Sequence, residues 1–349
     1  MEQKSTIPAE CLAGLTVENG WYVNKMIQRS PHSTGGNFSS GYEVEKDGKK
    51  AYLKAVDFSR ALQNSDMLKE LEIQLKIFNF EKELLELCKN ENLHKVVVPI
   101  DSGKIEVPGF PPILNVVHYI IFEMADGDIR KIYSFEKKKN LYFVFSSLHN
   151  IAVGIKELHA LNIAHQDIKP SNALVFNDKT KIADIGRASV KDKPFVYDNM
   201  ACPGDRNYIA PEQNYAFHGH GDFNDKFAAD MFAFGSLFYF YFYNISLASI
   251  FHHEFQKIAF NMTNSFENDL PYWERIFDDI LSKTEAYFLT LLKPESSQMV
   301  ITMIKSLCAP DPRKRGHKKN IEHGFPQYSF ERFITELDIL SRKAKFKLI

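Results

Sequence analysis

Apolar and polar positions alternate along residues 21–54, with breaks at Gly35-Gly36 and Asp47-Gly48. Alternation puts successive side chains on opposite faces of a strand. Asp-Gly between Tyr42-Glu43-Val44 and Ala51-Tyr52-Leu53 is a hairpin signal, so two paired strands are predicted there. The period then changes. Over residues 65–90, leucines, glutamates and lysines predict one or two helices. Residues 96–100 and 116–122 read as further strands, separated by a loop with Pro108, Pro111 and Pro112. Residues 146–161 place Ile151, Ile155, Leu158 and His159 on one face of an amphipathic helix, and residues 329–348 predict a basic one. Residues 1–20 carry little pattern and are expected to form an extension that packs or frays.

Residues 231–251 are mostly apolar, long enough to cross a bilayer. The run contains Gly235, Asn244, three serines and three tyrosines, and Asp230 precedes it, so a buried core helix is expected and no membrane span. At 349 residues, with 44% hydrophobic and 25% charged positions, the chain has room for one large or two-lobed globular domain. A net charge of −1 gives no support to nucleic-acid binding. Cys11, Cys88, Cys202 and Cys308 are far apart and form no CxxC pair, which points away from zinc and disulfides towards a reducing, cytoplasmic setting. No apolar run follows Met1-Glu2-Gln3-Lys4-Ser5, so no secretory signal is expected.

The chemistry concentrates in His165-Gln166-Asp167-Ile168-Lys169-Pro170-Ser171-Asn172-Ala173-Leu174 and in Asp184-Ile185-Gly186. Phosphoryl transfer needs a carboxylate to orient the attacking hydroxyl, a cation on the moving phosphate and oxygen ligands for Mg²⁺. Asp167, Lys169, Asn172 and Asp184 offer these groups in order. A loop aspartate alone is commonly a turn or cap residue, but here the surrounding positions match as well. The pattern resembles the eukaryotic-type serine/threonine protein kinases, whose catalytic loop reads H-R-D-x-x-x-x-N and whose metal motif reads D-F-G. Gln166 stands where the pattern has Arg, and Ile185 where it has Phe.

The resemblance extends from about residue 21 to residue 315. It implies Asp167 as catalytic base, Lys169 on the γ-phosphate, and Asn172 and Asp184 as Mg²⁺ ligands. Residues 34–42 sit where the family has a glycine-rich loop over the ATP phosphates, with only Gly36 and Phe38 matching. Ala51-Tyr52-Leu53-Lys54 resembles V-A-I-K, so Lys54 would bind phosphates, although Tyr52 replaces a small residue that packs on adenine. Glu81, with Leu84, Leu85 and Cys88 at helical spacing, best fits the glutamate that pairs with that lysine; Glu83 is second, and Glu70 and Glu72 stay open. Glu123 and Ala125 would bond adenine through their backbone, behind a Phe122 gatekeeper. Asp128 would meet the ribose, and Leu174 completes the cofactor-binding set. Glu212, in Ala210-Pro211-Glu212, is expected to form a buried ion pair with Arg315, and Asp230 to brace the catalytic loop. Asp205 replaces a threonine, where its carboxylate would repel Asp167 unless it points elsewhere. His218-Gly219-His220-Gly221-Asp222 reads as an exposed loop rather than a metal site.

These readings imply an α+β, bilobal protein kinase fold. Residues 1–20 would be an extension, 21–124 a small β lobe with one main helix, and 125–349 a large helical lobe with a C-terminal helix. The implied reaction moves the γ-phosphoryl of ATP to Ser or Thr hydroxyls of protein substrates, the protein itself included, with Mg²⁺. Gln166, together with few hydroxyls between Asp184 and Glu212, predicts activity independent of phosphorylation there. Two rivals are a pseudokinase scaffold, favoured by the poor glycine loop, Tyr52 and Asp205, and a small-molecule phosphotransferase, which generally lacks the A-P-E segment.

Overall fold

The computed structural model describes residues 7–28, 39–58, 61, 65–112, 115–133, 140–198, 200, 202–258 and 263–349. Gly36 and Phe38 lie outside them. The chain forms two units, Met1–Leu93 with Val97–Asp126, and His94–Val96 with Gly127–Ile349.

In the first unit, β1 (Tyr22–Met26), β2 (Ser39–Lys46), β3 (Lys49–Val56), β4 (Pro99–Glu106) and β5 (Val116–Glu123) make one antiparallel sheet, ordered β1-β2-β3-β5-β4. Asp47 and Gly48 close the β2–β3 hairpin at positive φ, as the dipeptide predicts. The predicted helical stretch is one helix, α1 (Met67–Asn90), capped by Asp66, whose carboxylate accepts from Lys69 N–H at 3.3 Å. It buries Phe78, Phe80, Glu81, Leu84, Leu85 and Cys88.

Burial alternates along β3: Ala51, Leu53 and Ala55 are buried, while Tyr52 and Lys54 on the opposite face are partly exposed. The buried face joins Tyr42, Val44, Val117, Tyr119 and Ile121 in a core that residues 7–21 complete with Ala9, Leu12, Val17 and Trp21. The N-terminal segment therefore packs. Polar contacts set its register: Tyr42 Oη donates to Ala9 O at 2.8 Å, and Asp101 accepts from Trp21 Nε1 at 3.2 Å and Asn19 Nδ2 at 3.0 Å.

The second unit opens with β6 (Gly127–Asp128), α2 (Ile129–Tyr133), α3 (Leu141–Ala160) and β7 (Ile163–Ala164), followed by β8 (Ala173–Phe176), β9 (Lys179–Ile182) and β10 (Ser189–Val190). β6-β8-β9 and β7-β10 are two small sheets. Among the described residues, the helices that follow are α4 (Asn224–Tyr243), α5 (Leu247–Gln256), α6 (Phe266–Leu291), α7 (Pro294–Cys308), α8 (Lys318–Glu322) and α9 (Glu331–Lys345). The predicted C-terminal helix is α9, which packs along α3.

The apolar run splits at Asn244, which ends α4 at a φ of 58°. α5 leaves at 89° to it, and α4 is buried from Ala228 to Phe242. No single helix among the described residues is long and apolar enough to cross a membrane.

Arg315 is fully buried and meets Glu212 through two hydrogen bonds of 2.5 and 2.6 Å. Its remaining donors reach the carbonyls of Ala309, Pro310 and Ala228, and its guanidinium lies over the Phe232 ring at 5.1 Å. A buried charge needs this degree of pairing; removing one partner of such a pair costs about 3–5 kcal/mol.

The N-terminal packing yields a prediction. Leu12 and Val17 are almost wholly buried, and burial of such side chains contributes about 1.5–3 kcal/mol each. A chain lacking residues 1–20 should melt at least about 5 °C lower by scanning calorimetry, with earlier proteolysis in the first unit. An unchanged melting profile would show that the segment contributes nothing.

Candidate active site

The first unit holds an ion pair. Lys54 Nζ donates to Glu81 Oε1 at 2.6 Å, joining β3 to α1. Among the alternatives, Glu83 is exposed, Glu72 pairs with Lys76 at 2.6 Å, and Glu70 accepts from Gln74 at 3.0 Å. Glu81, the best fit by helical spacing, is the glutamate paired with Lys54 here. Phe122 lies on β5 opposite Tyr52, Glu123 ends that strand opposite Ala51, and Ala125 follows in an irregular stretch.

In the second unit the catalytic loop leaves β7 and enters a short 3-10 turn at Pro170–Asn172. Asp167 is nearly buried, with 8% exposure, and its carboxylate is held from three directions. Oδ1 accepts the Asp205 N–H at 2.9 Å; Oδ2 accepts from Lys169 Nζ at 2.8 Å and Asn172 Nδ2 at 3.1 Å. Asn172 Nδ2 also donates to the Asp167 carbonyl at 2.8 Å, which fixes the amide orientation and leaves its Oδ1 facing away from Asp167. Asp184 is exposed, and its negative charge is felt at Asp167. Burial raises the Asp167 pKa above the ordinary aspartate value, the Lys169 charge counteracts this, and Asp184 adds to the rise.

Two residues here adopt left-handed backbone, Gln166 and Asp184, both at a φ of 63°. For a long side chain such as glutamine this conformation needs support from its surroundings. Asp230 on α4 provides it. Its Oδ1 accepts from Gln166 N at 2.8 Å and Gln166 Nε2 at 3.2 Å; its Oδ2 accepts from His165 N at 2.7 Å and lies 2.9 Å from His159 Nε2. The Gln166 amide also donates to the Lys226 carbonyl at 2.9 Å. His165 is a structural member of the loop. Its Nε2 reaches the Ala183 carbonyl at 3.1 Å while Nδ1 accepts the Asp167 N–H at 3.2 Å, which puts the ring proton on Nε2.

Asp205 turns its carboxylate away from Asp167. Its Oδ1 caps the following 3-10 turn, accepting from Asn207 N and Nδ2 at 3.0 Å each. Its backbone N–H, not its carboxylate, faces the Asp167 carboxylate, so the expected repulsion is avoided. Gly204 makes this approach possible: a Cβ there would collide with the Gln166 carbonyl and lie 2.9 Å from Asp167 Oδ1.

Asp128 has a local task. Its carboxylate accepts from Arg130 N at 2.9 Å, Lys131 N at 3.2 Å and Arg130 Nη2 at 3.1 Å, capping α2, so a ribose contact would come from an already engaged group. Leu174, on β8 opposite Asp128, is partly exposed between the buried Ala173 and Val175. The His218–Asp222 stretch leads into α4, with Asp225 accepting the His220 N–H at 2.9 Å and the Gly221 N–H at 3.0 Å. Among the described residues, no cluster of three or more His, Cys, Asp or Glu side chains could hold a metal by itself. Mg²⁺ asks for less, since it is bound by one or two carboxylates together with substrate phosphates and water. Asn172 Oδ1 and the Asp184 carboxylate are hard oxygen donors that fit it.

The roles of His159, of the Lys226 carbonyl and of Gly204 were not read from sequence. Only His159 left a signal, a polar residue on the apolar face of the predicted helix.

Residues 35–325 match the family model for the protein kinase domain. The chain is 31% identical over 210 residues to the dual specificity protein kinase shkE of Dictyostelium discoideum, covering 59% of this chain and 26% of that one. It is 31% identical over 171 residues to mitogen-activated protein kinase 5 of Arabidopsis thaliana, covering 48% and 38%. With the serine/threonine-protein kinase DCLK1 of Rattus norvegicus it shares 35% over 100 residues, covering 27% and 22%. The chain thus aligns with well under half the length of each of these relatives.

The environment of Asp167 yields a prediction about its titration. Carbon-detected NMR of the Asp167 carboxyl, without nucleotide, should place its midpoint above the ordinary aspartate range. Lys169→Met removes the charge that opposes the rise and should move the midpoint further up. A midpoint at or below the ordinary value, or a downward shift in the variant, contradicts this account.

Proposed function

The chain belongs to the protein kinase family, and from that premise we propose that it is a serine/threonine protein kinase, moving the γ-phosphoryl group of ATP to hydroxyls of protein substrates. The observation that carries the reading is the Asp167 carboxylate, held by Lys169, Asn172 and the Asp205 N–H within hydrogen-bonding distance of each. In this reading Asp167 orients the incoming hydroxyl and accepts its proton, a task suited to a carboxylate whose pKa is raised by burial. Lys169 holds the transferring phosphoryl oxygens, and Lys54, fixed by Glu81, holds phosphates of the nucleotide. Asn172 and Asp184 would hold Mg²⁺, which when bound supplies charge neutralisation on the phosphates. Lys169-Pro170 supports serine and threonine acceptors.

Phosphorylation of the segment after Asp184 has no part in this reading. Ser189 is fully buried in β10 and Tyr197 is 7% exposed. Tyr197 packs edge-on to Phe195, with the Arg187 guanidinium 4.4 Å from its ring centre. Gln166, in place of an arginine, directs its amide to the Lys226 carbonyl and Asp230. The scaffold alternative loses one of its supports, because the Asp205 carboxylate does not oppose Asp167. Cys11, Cys88, Cys202 and Cys308 form no disulfide, which supports a reducing, cytoplasmic setting.

The test is transfer of labelled γ-phosphate from Mg-ATP to the protein itself and to generic protein substrates. The parent should label serine or threonine, and Asp167→Ala should lose at least about 10²-fold of the rate. Phosphate mapping should find no stoichiometric modification of Ser189, Tyr197 or Tyr208. Equal labelling by parent and variant would overturn the reading.

A further inference from the structure

Two lysines share one face of β9. Burial alternates along the strand, with Thr180 and Ile182 buried and Lys179 and Lys181 turned the other way. The buried pair is fixed against α3. Thr180 Oγ1 lies 2.6 Å from Ser147 Oγ, and Ile182 packs beside Gly154, where a Cβ would meet its Cγ2 at 2.9 Å. Lys181 is held with its ammonium 4.9 Å from the centre of the Phe176 ring, and Phe176 is the cross-strand partner of Lys179.

A third lysine arrives from a distant part of the chain, within the same unit. Val96 bridges Ile182 in parallel, and the Ile182 N–H donates to Lys95 O at 2.8 Å. Val96 and Ile182 are both buried, so Lys95, one residue earlier, falls on the side of Lys181. The segment is clamped there. Glu157 on α3 accepts the His94 N–H at 3.2 Å and the Lys95 N–H at 2.9 Å. Gly154 leaves room for the Lys95 carbonyl, which would lie 2.6 Å from a Cβ at that position.

Backbone hydrogen bonds thus hold like charges together. Burial, then the charge of Lys179, sets the Lys95 pKa below the ordinary lysine value; Glu157 opposes this and Lys181 adds to it. Among the described residues, Glu157 is the acidic group whose charge reaches Lys95, and its two oxygens already accept the His94 and Lys95 N–H groups. Asp178 stands beside Lys179 in the exposed β8–β9 turn. Lysines at the end of a hairpin are commonly a solvated face and nothing more. Lys95 differs, because it is partly buried and its backbone cannot draw away from β9.

We infer that Lys95, Lys179 and Lys181 form a binding site for a phosphomonoester group. Such a group carries close to two negative charges and three strong acceptor oxygens, whereas a carboxylate would neutralise only one ammonium. A phosphorylated serine or threonine of a protein and a small phosphorylated metabolite both present that group, and the experiment separates them. The inference is independent of the function proposed above, since the site needs no ATP.

The experiment is NMR of the full chain labelled at lysine side chains, without nucleotide, with melting temperatures recorded alongside. The probes are the peptide Ala-Ala-phosphoserine-Ala-Ala, its unphosphorylated form and glucose 6-phosphate. The Lys95 and Lys179 Nζ signals should shift saturably with a phosphorylated probe and stay in place with the unphosphorylated peptide. Tighter binding of the phosphopeptide assigns the site to proteins, and tighter binding of the sugar phosphate assigns it to metabolites. Lys95→Gln combined with Lys179→Gln should weaken that binding at least about tenfold, the scale of a lost charge-assisted hydrogen bond. Its melting temperature should equal or exceed that of the parent, because repulsion has been removed. Lys169→Met, which alters the surroundings of Asp167, should bind the probes as the parent does. The inference is overturned if no phosphorylated probe moves these signals, or if the unphosphorylated peptide moves them equally. It is also overturned if the double variant binds as tightly as the parent, or if Lys169→Met abolishes binding, which would place the anion beside Asp167.

Discussion

The catalytic loop depends on one buried carboxylate. Asp230 is 1% exposed and is contacted by two backbone N–H groups, the Gln166 amide and the His159 ring. A charge at that depth is tolerated only because all these partners surround it. Those contacts hold Gln166 in left-handed backbone, and that bend delivers Asp167 to Lys169 and Asn172. The same stretch of α4 serves a second clamp: the Ala228 carbonyl accepts from Arg315, and the Phe232 ring lies under its guanidinium. Three nearby residues of one buried helix thus tie the loop before the chemistry to the Glu212–Arg315 pair after it.

Departures from the family pattern are absorbed locally. Gln166 uses its amide on Lys226 and Asp230 rather than reaching for a phosphate. Asp205 offers Asp167 a backbone N–H and turns its charge onto Asn207. Ile185 is fully buried where an aromatic would stand. Tyr52 finds room over Gly41. In each case the altered side chain has a nearby partner or cavity that suits it, as expected when local and global preferences agree.

Much of this was legible because phosphoryl transfer restricts residue types at fixed spacing. Asp167, Lys169 and Asn172 were readable as a set, and the structure brings them within hydrogen-bonding distance. Apolar spacing ranked Glu81 first but left Glu70, Glu72 and Glu83 open; the ion pair with Lys54 is seen only in the fold. Other features depended on long-range packing. Leu12 and Val17 are too sparse to show a period, so whether residues 1–20 pack or fray was not readable; their core forms only against strands brought from elsewhere in the chain. Side-chain direction at Asp205 and the capping task of Asp128 were equally hidden, since both are set by backbone N–H groups whose positions follow from the fold. The break of the apolar run at Asn244 left a weak trace, a single residue tolerant of left-handed backbone. Gly36 and Phe38 fall outside the described residues.

The central claim is that Asp230 acts by positioning Asp167, and its most direct measurement is the turnover of Asp230→Asn. The substitution keeps shape and removes the charge that collects the loop's donors. The account predicts a melting temperature within a few degrees of the parent, an ATP KM little changed, and a kcat lower by about 10²-fold, the usual cost of a catalytic group displaced by roughly 1 Å. A variant that folds normally and turns over at the parent rate would contradict it.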